Sequence, residues 1–126
     1  MKIPDIEYSI DLIKMDVPTA NGRIYSKEAI NKLVEETNKK TVVPLHFNLG
    51  SDLASIVGIV KNAKVVDDQI VVKIQLLDTP KAVNIKAALH DRKAFCITPT
   101  TVGLVDENHQ VTVQDVKHYN ITARIL

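Results

Sequence analysis

The chain has 126 residues, 45% hydrophobic and 25% charged, and its 16 Lys and Arg nearly cancel its 15 Asp and Glu. That length suffices for one core without staples, and the composition argues against disorder and against a membrane span. Near-neutrality, no like-charge block longer than Lys39-Lys40, and three Tyr and two Phe without Trp argue against a nucleic-acid surface.

The single Cys cannot make an internal disulfide. With no apolar signal-peptide core at the N-terminus, the expected site of synthesis is a reducing cytoplasm. One domain over residues 1–126 is expected, since no repeat or low-complexity linker interrupts the chain.

In chain order, Glu7 to Met15 alternates Tyr8, Ile10 and Leu12 with Ser9 and Asp11, the period of a half-buried strand. Asp16 to Gly22 carries Pro18 and an Asn21-Gly22 pair, which is turn chemistry. Ser26 then opens a helix to Lys39. Its side chain can cap free N–H groups, Ile30, Leu33 and Val34 recur at helical spacing, and Tyr25 is placed to staple Ile30. Glu28, Glu35 and Glu36 stand four residues before Lys32, Lys39 and Lys40, which gives a solvated outer face.

Thr41 to Phe47 is β-branched and apolar, and Asn48 to Asp52 reads as a loop. Ile56 to Val66 and Gln69 to Leu77 are strands joined by a tight hairpin at Asp67-Asp68, with Gly58 marking a bulge or a close backbone approach. Thr79-Pro80 is a cap with Pro at the first helical position, so a short second helix is expected from Pro80 to His90. Strands follow at Phe95 to Val105, Val111 to Val113 and Tyr119 to Leu126, with a turn at Asp106 to His109. These elements predict an α+β fold, a mostly antiparallel β-barrel with two short helices packed outside.

Two residues stand out chemically: His46, in an apolar strand, and Cys96, the one thiol of the chain. His90, His109 and His118 show no zinc spacing with each other or with Cys96, and the four Gly are isolated, so neither a metal site nor a phosphate loop nor any other cofactor is expected.

The order of Asn21 to Glu28 before a helix, a strand carrying His46, the Gly58-Ile59-Val60 strand, a hairpin ending in Leu77-Asp78-Thr79-Pro80, a short helix and Phe95-Cys96-Ile97 resembles the prohead maturation proteases of tailed phages. That family has the herpesvirus assemblin-like β-barrel. In it a His, a Ser between hydrophobic residues and a polar or acidic residue on a later strand form the site. The resemblance implies that His46, Cys96 and Asn120 hold these positions, with a His-to-Cys separation similar to the family's His-to-Ser distance.

A Cys-His-Asn trio is workable, because a thiolate attacks, an imidazole takes its proton and an amide orients the ring. Thr98 and Thr100 are alternative hydroxyls. Equally, Cys96 reads as a small buried hydrophobe, His46 as a core imidazole bonded to a carbonyl, and Asn120 as a side chain bonded to nearby backbone.

Since two of the three residue types differ from the family's, the resemblance implies a capsid-associated subunit, auxiliary or decorating, in the phage head. Its partners would be the major capsid protein or further copies of itself, with no nucleic acid, membrane or small-molecule cofactor. Loops at Val17 to Asn21, Asn48 to Asp52 and Asp106 to Gln110 are the expected contacts. The alternatives are an active prohead endopeptidase that cuts scaffold and capsid segments, and a small interaction module unrelated to phages.

Overall fold

The computed structural model describes residues 6–19, 21–40, 43–47, 53–80, 82 and 95–123. Six strands form one sheet: β1 (Ile6–Lys14), β2 (Val43–Phe47), β3 (Ile56–Val66), β4 (Gln69–Leu76), β5 (Phe95–Val105) and β6 (Val111–Ala123). Their order is β1-β4-β3-β2-β6-β5. Neighbours are antiparallel except β2 and β6, which run parallel. The sheet curls until its edge strands touch, and the Tyr8 hydroxyl on β1 donates to the Phe95 carbonyl on β5. The architecture is thus a mixed α+β half-barrel, mostly antiparallel, with helix outside it.

Period-two patterning gives this sheet one apolar face. Ile70, Val72, Ile74 and Leu76 of β4 are buried, and so are their register partners Tyr8 and Ile10 on β1 and Val60 on β3. Val43, Leu45, Tyr119, Ile121 and Ile97 continue the face through β2, β6 and β5. Each fully buried aliphatic side chain contributes about 1.5–3 kcal/mol.

The local signals behave as their chemistry requires. Asp67 and Asp68 both have positive φ, 49° and 66°, the twist-matched turn of a two-residue hairpin. At Gly58 a Cβ would lie 2.6 Å from the Gln75 carbonyl oxygen, so glycine there lets β3 and β4 approach. The register of β3 against β2 slips beside it, Leu45 facing Gly58 but His46 facing Ile56.

The helix α1 (Lys27–Lys39) begins where Ser26 Oγ accepts from the Ala29 N–H at 3.2 Å. Ala29, Ile30 and Leu33 face the core, as does Tyr25 just before the cap. The Thr37 hydroxyl lies 2.9 Å from the Leu33 carbonyl and 2.7 Å from the Tyr119 hydroxyl. Burial pushes the Tyr119 phenol up to about 12, and the Thr37 bond partly offsets that. Asn38 bonds both backbone groups of Ala63, at 2.8 and 2.9 Å, and so fastens α1 to β3.

Several expectations need revision. Glu36 pairs with Lys32 at 3.2 Å and Lys39 at 3.4 Å, and not with Lys40. Lys40 has left the helix in an extended conformation and reaches Asp115 at 2.6 Å. Val111–Val113 and the final strand are one element, because β6 pairs along the whole of β5 and absorbs two register shifts. The helix expected over Pro80–His90 lies outside the described residues apart from Pro80 and Ala82, and Ala82 is fully buried. The loop at Asn48–Asp52 also lies outside them. No described helix is long and apolar enough to cross a membrane.

Candidate functional site

Cross-strand partners share a face of a sheet, as do residues two apart on one strand. His46 faces Asn120 across the parallel β2–β6 pair, and Asn120 faces Thr98 on β5. Parallel to this row run Thr122 with Cys96 and His118 with Thr100. All seven residues therefore lie on the face opposite Leu45, Tyr119 and Ile121. That face is mostly polar, yet His46 is 4% exposed and Asn120 3%.

His46 is held from two sides. The slip of β3 at Gly58 puts the short 3-10 turn Leu53–Ser55 next to β2, where Ser55 Oγ lies 2.6 Å from His46 Nδ1. From β6 the His118 ring meets it edge-on, centroids 4.6 Å apart at 63°. Burial holds His118 below the usual imidazole range, with His46 and then Lys117 adding to the effect.

Asn120 Nδ2 donates to Thr100 Oγ1 at 3.2 Å, while its Oδ1 is buried without a partner. Cys96, also buried, has its Sγ 3.2 Å from Thr122 Oγ1. The fold thus brings His46 and Asn120 together and sets Cys96 on the same face, with Thr122 and not His46 as its hydrogen-bond partner.

A cleft of about 380 Å³ opens where the segment carrying Thr19, Arg23 and Tyr25 approaches β5 at Thr98 and Pro99. Thr98 therefore joins this cleft to the His46–Asn120 row. Neither Ser55 nor His118 was expected beside His46 from the sequence. Ser55 sits beside His46 only because of the β3 slip, and His118 only because β2 and β6 run parallel. No group of three His, Cys, Asp or Glu among the described residues is placed to hold a metal ion.

Solved structures include a similar one, the capsid assembly protease gp21 of bacteriophage T4. It superimposes with a TM-score of 0.66 over 94% of this chain and 80% of gp21, at 16% sequence identity. The chain shares the fold of a phage capsid assembly protease. At that identity the likeness to gp21 concerns the fold. No protein family model matches the chain, and no curated protein resembles it closely enough in sequence to count as a relative.

Proposed function

We propose that the chain is a capsid-associated subunit of a phage head that uses a protease-like fold for binding and does not cut. One observation carries the reading: no nucleophile–base bond joins Cys96 to His46, the thiol being paired with Thr122 and the imidazole with Ser55. A buried thiol with no base beside it to take its proton attacks slowly.

The partner is the major capsid protein or another copy of the chain. Two of the expected contact loops lie near each other, since the chain that follows Val17–Asn21 reaches Asp106–Gln110 where the Ile24 N–H donates to the His109 carbonyl. Val17 in the first loop, and Leu104 and Val105 at the end of β5 where it enters the second, are exposed apolar side chains. Apolar side chains exposed on a loop and at a strand end suit protein contact.

The test is to add purified protein to heads that lack it and to measure occupancy by sedimentation. Saturable, stoichiometric co-sedimentation supports the reading, and no binding to heads or to its own kind overturns it.

A second reading, an endopeptidase cutting scaffold and capsid segments, is favoured by the cleft that reaches Thr98 in the His46–Asn120 row. Catalytic hydrogen bonds often close only around substrate, so Cys96, His46 and Asn120 would then form the site.

A further inference from the structure

We propose that His46, His118 and Asn120 form a binding site for one divalent transition-metal ion of the zinc, cobalt or nickel class, independent of the capsid setting. The two rings lie with centroids 4.6 Å apart. Metal–nitrogen bonds of about 2.1 Å place two imidazole centroids on one ion roughly 4.5–5.5 Å apart, a range that includes this separation, and rotation about the side-chain torsions would bring one nitrogen of each ring to the ion.

Ser55 Oγ at His46 Nδ1 takes the place of the carboxylate, carbonyl or water that fixes the second ring nitrogen of metal-binding histidines. With Nδ1–H given to the Ser55 oxygen, the Nε2 lone pair is left to coordinate.

The third donor is the one buried side-chain acceptor left without a donor among the described residues, Asn120 Oδ1. Its amide nitrogen is turned to Thr100 on β5, which leaves the oxygen on the other arm of the amide. Asn120 faces His46 in register and stands two residues from His118 on the same face, so the three donors come from adjacent positions of two paired strands. Imidazole nitrogen selects zinc, cobalt or nickel over magnesium or calcium. With no carboxylate or thiolate among the donors the set is neutral, and a bound ion would clip β2 to β6 without quenching charge.

The probe is Co²⁺ added to the full chain, followed by its visible ligand-field absorption, with equilibrium dialysis for stoichiometry. The expected result is one ion per chain with a nitrogen and oxygen donor spectrum, and a loss of affinity of at least about tenfold in His118→Gln. His109→Gln, on the exposed turn, is expected to bind as the parent does. Absence of binding, equal affinity in His118→Gln, or a thiolate charge-transfer band from Cys96 overturns the proposal. If His118→Gln does not fold, the imidazole NMR signals of the unmodified protein decide during titration with Zn²⁺. Movement of the His46 and His118 signals supports the site, and movement confined to other histidines overturns it.

Discussion

The His46 imidazole and the Asn120 amide face each other across the one parallel pair among the described strands, β2 with β6. That pairing joins a segment from the first half of the chain to its last described strand. It makes β6 the hub of the polar face, with His46 on one side and Thr98 and Cys96 on the other.

The close approach of β3 and β4 predicts the effect of Gly58→Ala. The new methyl would meet the Gln75 carbonyl oxygen at 2.6 Å, and that atom belongs to a hydrogen-bonded strand and cannot turn aside. A loss of about 1–3 kcal/mol is expected from denaturant unfolding. Because the β3 slip also positions Ser55, the His46 ring signals should shift in NMR spectra of the same variant.

Thr37→Val removes a hydroxyl that bonds both the Leu33 carbonyl and the buried Tyr119 phenol. Shape is nearly kept while the phenol is stranded, so a loss of about 1–3 kcal/mol is expected. Thr37→Ser, which keeps the hydroxyl, should recover more than half of it. Equilibrium unfolding of the two variants side by side checks both statements.

How much of this was legible in the sequence depends on the range of the interaction. The Ser26 cap, the Asp67-Asp68 turn, the Gly58 approach and the alternation of β1 and β4 are local signals, and each is found where its chemistry predicts. The parallel β2–β6 pair is non-local, since nothing in Val43–Phe47 states which strand will lie beside it. Gln114 to His118 lies between the two strands expected there, yet it is strand because β5 pairs along it. His118 and Ser55 were therefore invisible as neighbours of His46. The position of Cys96 in Phe95-Cys96-Ile97 was legible, but its bond to Thr122 depends on register.

His118 gives a pH dependence with a defined sign. Burial, His46 and Lys117 hold its folded pKa below that of the unfolded chain, so the unfolded state binds more protons as the pH falls. This contribution to stability is fully present above the unfolded histidine value, about 6.5, and is lost as the pH falls through the lower folded value. Melting temperatures from pH 8 down to pH 5 should show a decline that is shallower in His118→Gln.

Cys96 is 8% exposed and bonded to Thr122, which predicts slow thiol chemistry. Alkylation of the folded protein at neutral pH should proceed at the rate of a buried core thiol. His46→Ala should leave that rate unchanged, because the imidazole is not the proton acceptor.

The central claim, a protease-like fold that binds without cutting, is tested most directly by a cleavage assay. Purified protein is incubated with unprocessed heads containing scaffold and capsid protein, and the chains are followed by mass spectrometry. The expected result is head-bound protein with scaffold and capsid chains intact. New scaffold or capsid fragments that disappear in Cys96→Ala and in His46→Ala would contradict it and assign the chain to the endopeptidases.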